Sequence, residues 1–552
     1  MRHQPSGHKQ NRLLRVARAA LLTAAVVSAC ALPGVARADI GSDLLTIILD
    51  AANSFFNVTS LTLSAFKNFV TPNDIQESPI VAASCGPGSN PETGLQGQVP
   101  EADRTSGRSR LGYSCNLQLV GQYKGEGAIA VDPSSGTCAY NATSYLNPLQ
   151  LRSPGVQVID VADPSQPYLS TTLTSPAMKY GTGESLRVNE TRKLLGGVSV
   201  ALIPSIEGGL FFDLYDISDC KHPKLLNAWH NTNLTMPALI LGHEATFSPD
   251  GKTYWAAGNA GGPLAAIDVS DTAHPTVIWD GLTGLPASHG MSLSADGNRL
   301  YLASTFIGGV EIFDVSEVQA RKPTPQIKMI GSVFWKGNPL GPFTNVQSPI
   351  SGTITQHTIP VSYKGKPYLI VPDEAGALGI HVVDISDDTK PKEVARFSLE
   401  IMSKANEQVA QNDMFGAHKI LGIPAVPYIH DVWTYNAHYC TVDRANDPTA
   451  LACGFIESGI RVFDIRDFTK PKEIAYFNPP AQSPTHPFEG KGQGLQGSYH
   501  ANLAALTPLT DLSADYCMSP PRFVGPDQLW VSCMDNGFMA LKFTNNAYPL
   551  NQ

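Results

Sequence analysis

Short runs of β-branched and aromatic residues, each ending in an aspartate, recur along the chain. Apolar residues alternate through each run, and a Ser-Asp or similar pair follows the aspartate. The six runs cover residues 155–163, 212–219, 266–271, 309–317, 379–387 and 459–467. Each run predicts a short strand that ends in a turn.

Other strands surround each run. Asp-Gly turns at residues 248–251 and 294–297 separate apolar segments, which is the pattern of a tight hairpin. A proline after the aspartate turn opens another strand, as at Pro391 and Pro471, where it interrupts no ladder. The repeat therefore predicts four antiparallel strands, named A to D in chain order.

The spacing of the runs, roughly 45 to 80 residues, fits propeller blades with insertions. A seventh copy lies at the C-terminus, where residues 530–534 and 537–543 supply strands B and C but no strand D follows. Residues 117–123 have the strand D pattern, so we predict that they complete the last blade and close the ring. The predicted fold is all-β: a seven-bladed β-propeller of four-stranded blades.

The chain is predicted to divide into three segments. Residues 1–38 combine arginines, an apolar run and Ala36-Arg37-Ala38, the features of a secretory signal peptide. Residues 39–112 predict a small N-terminal extension of helix and loop, because apolar residues recur at loosely helical intervals between residues 44 and 69. The propeller itself is assigned to residues 113–545, with an insertion at about residues 401–426.

The signal peptide predicts a periplasmic or extracellular protein. An alternative remains, because Val27-Ser28-Ala29-Cys30 resembles a lipoprotein box in which Cys30 would carry the anchor. Loss of residues 1–38 removes six basic and no acidic residues, which changes the formal charge from −9 to −15 and disfavours a nucleic-acid partner. No later apolar run approaches the roughly 20 residues of a membrane-spanning helix, and the oligomeric state stays open.

Eight cysteines remain beyond Cys30, an even number for a compartment in which disulfides persist. We predict the pairs Cys440 with Cys453 and Cys517 with Cys533, which are close in sequence and similarly placed in their repeats. The pairing of Cys85, Cys115, Cys138 and Cys220 is left open.

A histidine begins strand A in five of the seven predicted blades. The five are His243, His289, His357, His430 and His500. Strand A is innermost in a propeller, so these imidazoles are expected to converge on the axis at one mouth. The loops between strands B and C bring acids to the same mouth: Asp373, Glu374, Glu457 and Asp535.

Imidazole with carboxylate suits a transition-metal ion, with copper or iron favoured and zinc or manganese as alternatives. The opposing interpretation is that each histidine is a strand-end residue bonded to the neighbouring blade. Blades one and two lack the histidine, near Glu126 and at residues 182–184. His381 is expected inside a strand C, whereas His418, His438 and His486 are expected in insertions.

The repeated phrases Val-Ile-Asp-Val, Val-Val-Asp-Ile and Val-Phe-Asp-Ile resemble the LVIVD-repeat family of bacterial surface and secreted propellers. The resemblance covers about residues 113–545 and implies the fold, but it implies no activity. A weaker resemblance, at the level of architecture and histidine placement, links the chain to the selenium-binding protein and methanethiol oxidase group. That resemblance implies copper and oxidation.

Three functions are compatible with these patterns. The first is a metalloenzyme, with an oxidoreductase favoured, that acts on a small molecule at the histidine ring. The second is a metal-dependent hydrolase of esters or phosphoesters, in which Glu374 or Asp535 would be the general base. The third is a non-enzymatic scaffold that binds a partner at the cell envelope.

Overall fold

The described part of the chain consists mainly of antiparallel sheets. In this computed structural model the described residues are 75, 78–124, 133–142, 155–179, 182–199, 211–228, 242–258, 263–283, 288–304, 308–335, 354–375, 379–413, 435–480, 514–534 and 536–550. All of them belong to the compact unit Thr59–Gln552, and the other unit, Met1–Val58, lies outside them. The predicted signal peptide, Cys30 and most of the predicted helical segment therefore stay predictions.

The first four blades each contain four antiparallel strands in chain order. Blade one comprises Ser134–Ser135, Cys138–Asn141, Val156–Asp160 and Tyr168–Leu173. Blade two comprises Arg187–Asn189, Leu194–Val198, Phe212–Asp216 and Lys224–Leu225. Blade three comprises Gly242–Phe247, Thr253–Gly258, Pro263–Asp268 and Thr276–Leu282. Blade four comprises Ser288–Leu293, Arg299–Ser304, Gly309–Asp314 and Lys328–Phe334.

The last three blades follow the same plan with additions. In blade five strand A is divided in two, and the strands are Ile354–Thr355, Ile359–Tyr363, Lys366–Ala375, Ile380–Asp384 and Lys392–Ser398. Blade six comprises Ala437–Val442, Ala450–Phe455, Gly459–Asp464 and Lys472–Asn478. Blade seven comprises Arg522–Val524, Gln528–Cys533, Gly537–Phe543 and Leu117–Tyr123.

Blade seven confirms the predicted closure of the ring. Its strand D, Leu117–Tyr123, comes from the N-terminal side of the chain and pairs antiparallel with Gly537–Phe543. The first and last parts of the propeller are thus hydrogen-bonded in one sheet, which removes an open edge. The seven-bladed, all-β architecture is confirmed.

The N-terminal extension packs on the outer strands of blades five and six. Ser78–Pro79 adds in parallel to the last strand of blade five, and Tyr113–Cys115 adds antiparallel to the last strand of blade six. Two ion pairs fix the contact: Arg461 with Glu92 at 2.7 Å, and Arg104 with Glu457 at 2.8 Å. The described helices of the chain are Glu101–Ser106, Pro176–Lys179, Ser316–Gln319 and Glu407–Asp413, with 3-10 turns at Arg108–Leu111, Glu400–Met402 and Lys404–Asn406.

The hydrophobic core lies between neighbouring blades. In strand C of blade four, Val310 and Ile312 pack with Leu369 and Val371 of blade five, whereas Phe313 belongs to the cluster shared with blade three. Side chains alternate across a strand, so a strand covered on both faces is apolar nearly throughout. This burial explains why the recurring runs are almost continuously hydrophobic.

Four disulfides are present in the structure, and the two predicted pairs, Cys440–Cys453 and Cys517–Cys533, are confirmed. The pairs that the sequence left open are Cys85–Cys115 and Cys138–Cys220. Four disulfides are compatible with a periplasmic or extracellular protein. Within the described residues, no helix has the length and apolar character needed to cross a membrane.

Candidate metal centre

Three histidines lie at the start of innermost strands, and each occupies a break in the strand pairing. The register shifts between Gly242 and Glu244 in blade three, between Ser288 and Met291 in blade four, and between Ala437 and Cys440 in blade six. The histidines in these breaks are His243, His289 and His438. Such a β-bulge changes the direction of a side chain, and here it accompanies the convergence of the three imidazoles.

Two glutamates complete the group, which we name the histidine–glutamate cluster: Glu184, His243, His289, Glu374 and His438. Nε2 of His243 lies 3.0 Å from Nε2 of His289 and 3.0 Å from Oε2 of Glu184. Nε2 of His438 lies 3.2 Å from Oε1 of Glu184 and 3.6 Å from Oε1 of Glu374. The circle closes through Oε2 of Glu374, which is 3.6 Å from Nε2 of His289.

Each ligand-type side chain comes from a different blade. Glu184 lies three residues before Arg187, where the first strand of blade two begins, and it forms a parallel bridge with Glu244 of blade three. Glu374 lies at the end of strand B of blade five, in Lys366–Ala375. Five neighbouring blades, two to six, therefore contribute one residue each to the cluster.

Backbone carbonyls hold two of the imidazoles from behind. Nδ1 of His289 lies 2.9 Å from the carbonyl oxygen of Gln356, and Nδ1 of His438 lies 2.9 Å from that of Met518. A proton on Nδ1 can be donated to the carbonyl, which leaves Nε2 as the atom that faces the cluster. Metal-bound histidines are usually oriented in this way.

Glu184 is also held by neutral donors. The side-chain amide of Gln356 donates to its Oε2 at 3.2 Å, and the hydroxyl of Tyr439 lies 3.3 Å from the same oxygen. The Tyr439 hydroxyl also donates to Glu244, which forms an ion pair with Arg187 at 2.5 Å. A second layer of polar contacts thus restricts the carboxylate of Glu184.

Burial and neighbouring charges shift the pKa values of the cluster residues in different directions. Burial lowers the pKa of His289 to about 4, and the charge of His243 acts in the same direction. Burial also opposes a charge on His438, but Glu184 and Glu374 outweigh it and raise the pKa of His438 to about 10. Burial alone would raise the pKa of Glu184, yet His243 and His438 hold it well below its usual range. Two buried carboxylates are therefore balanced by imidazolium charge.

The cluster fits one transition-metal ion. Bonds of about 2.0–2.2 Å from imidazole nitrogen and carboxylate oxygen to one ion place neighbouring ligand atoms about 3.0–3.5 Å apart. The nearest contacts around the cluster, 3.0 to 3.6 Å, lie close to this range. Nε2 of His438 is buried and makes no well-aligned hydrogen bond. Ligand atoms of Glu184, His243 and His289 all lie within 4.8 Å of one another, so a buried group that could bind a metal ion is present.

The predicted site residues fall into three groups. His243, His289 and Glu374 lie in the cluster. His357 lies beside it: its Nε2 is 3.2 Å from the carbonyl oxygen of Cys440, and its ring contacts Tyr439 with centroids 4.7 Å apart. Burial lowers the pKa of His357 to about 3, so it is neutral and donates this hydrogen bond. The third group, His430, His500 and Asp535, lies outside the described residues, so their roles stay predictions.

Two of the predicted acids make structural contacts. Asp373 accepts hydrogen bonds from Trp335 Nε1 at 3.1 Å and Thr355 Oγ1 at 2.9 Å, and its other oxygen lies 2.7 Å from His381. Glu457 forms its ion pair with Arg104 of the extension. His381 is in strand C of blade five, as expected, and is fully buried between Asp373 and Glu393.

The expectation that His438 lies in an insertion is wrong. It lies in strand A of blade six, Ala437–Val442. The sequence carried a signal for this, because Cys440 was predicted to pair with Cys453, and a cross-strand disulfide places strand A around Cys440. Glu184 was not predicted as a candidate ligand for a different reason: blade two has this glutamate where five of the other blades have the repeated histidine.

A second group of metal-ligating residue types, Asp515, Cys517 and Cys533, is also close together. Its two sulfur atoms form a disulfide and offer no thiolate. Of the described residues, the histidine–glutamate cluster is therefore the candidate metal centre.

The fold and the site together define the class: a seven-bladed β-propeller with a buried cluster of histidine and glutamate near its axis. Comparison with known families adds that the chain carries an LVIVD repeat, whose family model matches residues 364–398 in blade five. This match confirms the resemblance to LVIVD-repeat propellers.

Comparisons with individual proteins give distant similarities. No curated protein matches the chain. It is similar to a solved structure of a functionally unknown protein from Desulfotomaculum acetoxidans DSM 771, at 12% identity and a TM-score of 0.39, over 64% of this chain and 90% of that chain. It is also similar to a candidate 6-phosphogluconolactonase from Bacteroides fragilis NCTC 9343, at 15% identity and a TM-score of 0.31, over 48% of this chain and 72% of that chain. Similarities of this size carry no argument about function.

Proposed function

We propose that the protein is a metal-dependent oxidoreductase that acts on a small molecule at the histidine–glutamate cluster. The observation that supports this most is the group Glu184, His243 and His289, whose ligand atoms lie within 4.8 Å of one another. Two histidines and one carboxylate are the ligand set of non-haem iron oxygenases, which keep further coordination positions open. Iron is therefore the favoured ion, and copper, which imidazole also binds well, is the second.

An iron ion in this ligand set would supply one-electron chemistry at open coordination positions. The protein's own contribution is orientation, exclusion of water and charge. Carbonyl groups of Gln356 and Met518 orient two imidazoles, and side chains in the cluster are between 0% and 15% exposed. Glu184 and Glu374 supply two negative charges, which match a divalent cation when the histidines are neutral.

A second candidate, a metal-dependent hydrolase, is favoured by one observation. Glu374 lies 3.6 Å from the imidazoles of both His289 and His438, farther than Glu184 lies from His243 and His438. If Glu184 and the histidines bind zinc or manganese, Glu374 is then near enough to act as general base toward a metal-activated water.

Metal analysis of the protein purified without a histidine tag tests this proposal. We expect one equivalent of iron or copper per chain, retained by His222→Ala and lost by His243→Ala/His289→Ala. His222 is a suitable control because it lies exposed beside Asp219, in the turn that precedes the last strand of blade two. One equivalent of zinc or manganese with esterase or phosphodiesterase activity would favour the hydrolase. Failure to bind any of the four ions after reconstitution would contradict both enzymes and favour the binding scaffold at the cell envelope.

We also propose that the chain is exported, with residues 1–38 as signal peptide, residues 39–112 as extension and residues 113–545 as propeller. The four disulfides support an oxidising compartment. Mass spectrometry of the mature N-terminus tests this proposal. A chain that begins after Ala38 would support a soluble protein, an acylated Cys30 would support the lipoprotein, and a retained Met1 would contradict export.

A further inference from the structure

One disulfide lies immediately beside a residue of the cluster. Cys440 follows His438 by two positions and is bonded to Cys453 across strands A and B of blade six. In this strand pair the register is Ala437 with Phe455 and then Cys440 with Cys453, so the disulfide joins the first regular pair after the bulge. The bulge removes ladder contacts at His438 itself. The Cys440–Cys453 disulfide is therefore the covalent link that holds strand A two residues after His438.

A second disulfide fixes the opposite side of the same imidazole. Met518, whose carbonyl lies 2.9 Å from Nδ1 of His438, directly follows Cys517, and Cys517 is bonded to Cys533 of blade seven. The backbone N–H of Cys517 donates to the carbonyl of Ile456 at 2.9 Å. This segment also lies so close to blade six that a Cβ at Gly454 would be 2.4 Å from the Cys517 carbonyl oxygen.

We propose that the disulfides Cys440–Cys453 and Cys517–Cys533 position His438 for metal binding, so that the complete site forms only in the oxidised chain. The first fixes the strand from which His438 projects, and the second fixes the carbonyl that orients its ring. This inference rests on the proposed metal site. It adds that a metal ligand and its orienting group are both set by covalent bonds formed during maturation.

The redox step is the formation of each bond. Two thiols lose two electrons and two protons and become a disulfide, and a disulfide oxidant accepts the electrons and protons and becomes two thiols. All four cysteines are at most 2% exposed. Oxidation is therefore expected to precede final packing, and the folded site is expected to resist added thiols.

The other disulfides provide matched controls. Cys138–Cys220 links blades one and two, and Cys138 pairs with Asp160 at the aspartate-turn end of its strand. Glu374 lies at the opposite end of the equivalent strand of blade five. Cys138 is buried and Cys220 is partly buried. Removal of Cys138–Cys220 therefore takes away a disulfide of the same propeller without altering the mouth that carries the cluster.

The test is a Co²⁺ titration of the full chain, by competition with a chromophoric chelator and by the visible bands of the bound ion. We expect Cys440→Ala/Cys453→Ala to weaken Co²⁺ binding about 10- to 100-fold, the usual loss when an orienting group is removed. The visible spectrum should change toward that of His438→Ala. Cys138→Ala/Cys220→Ala should bind Co²⁺ like the wild type.

A double-mutant cycle separates positioning from a general loss of structure. In the background of His438→Ala, removal of Cys440–Cys453 should weaken Co²⁺ binding no further. A full additional loss in that background, or wild-type affinity in the disulfide variant, would overturn the inference. If Cys440→Ala/Cys453→Ala does not fold, as judged by circular dichroism, Cys517→Ala/Cys533→Ala takes its place in the same cycle. A wild-type chain that binds no Co²⁺ would instead overturn the proposed metal site, and this inference with it.

Discussion

Replacement of Glu311 by glutamine should remove a pH dependence from the stability of the propeller. Glu311 lies in the middle of strand C of blade four, is 1% exposed, and its Oε1 has no hydrogen-bond partner in the described structure. Burial is the cause that raises its pKa from 4.5 to about 8. The folded protein therefore keeps this carboxyl protonated at neutral pH.

The size and sign of the effect follow from proton linkage. Between pH 4.5 and about 8 the folded state holds a proton on Glu311 that the unfolded state has released, so stability falls as the pH rises through this window. The loss is about 1.4 kcal/mol for each pH unit, and across the whole interval from 4.5 to about 8 it reaches about 5 kcal/mol. Below the window both states are protonated, and above it both are ionised, so this residue adds no further change.

Urea unfolding at pH 5, 6.5 and 8 measures the effect as the difference between Glu311→Gln and the wild type. We expect the variant to gain stability relative to the wild type at each step toward pH 8. Glu317→Gln is the control, because Glu317 is partly exposed and paired with Lys322 at 2.8 Å. Parallel pH profiles for Glu311→Gln and the wild type would refute the reasoning, since they would mean that Glu311 ionises normally in the folded protein.

Three further predictions concern charge and metal. Arg461→Met should destabilise the protein by about 3–5 kcal/mol in urea unfolding. The variant leaves Glu92 and Glu473 without the guanidinium that lies 2.7 and 3.0 Å away. A variant as stable as the wild type would contradict the prediction. His438→Ala should weaken Co²⁺ binding about tenfold or more. His357→Ala should change Co²⁺ binding little, because the Nε2 atom of His357 faces the Cys440 carbonyl. Equal losses of affinity in the two variants would indicate that His357 is also a ligand. A chelator such as EDTA should lower the Tm of the metal-loaded protein measured by calorimetry. An ion present at 100 times its Kd stabilises the folded state by about 2.7 kcal/mol. An unchanged Tm would exclude a bound ion.

The fold could be predicted from local patterns because each blade repeats the same strand and turn signals. An alternating apolar strand, an aspartate that accepts backbone N–H groups and a proline at the next strand start recur in sequence. In the structure Asp314 accepts from the N–H of Ser316 at 3.0 Å, and Asp384 accepts from that of Ser386 at 2.8 Å. Even ring closure was predictable, because a blade without a strand D and a strand D without a blade were both visible in the sequence.

The candidate site was predictable only in part, since a ligand set is defined by where side chains meet. The repeat located His243, His289 and Glu374 because each occupies a regular position near a blade mouth. It missed His438 because the insertion before blade six hides where strand A begins. It did not include Glu184, because a carboxylate in place of a repeated histidine breaks the sequence pattern, although a carboxylate oxygen can also bind a metal ion.

The amino-acid sequence by itself determined the blade, the number of blades, the strand that closes the ring and two of the disulfides, because hydrogen-bonding and burial patterns of that kind are local or repeat at fixed intervals. The tertiary structure decided which polar groups face one another across blades. Bulges at His243, His289 and His438 turn three imidazoles toward Glu184 and Glu374, whereas the nearby imidazole of His357 is bonded to a backbone carbonyl instead. That choice depends on a shift of one residue in the register of each strand pair, which only the packed propeller sets.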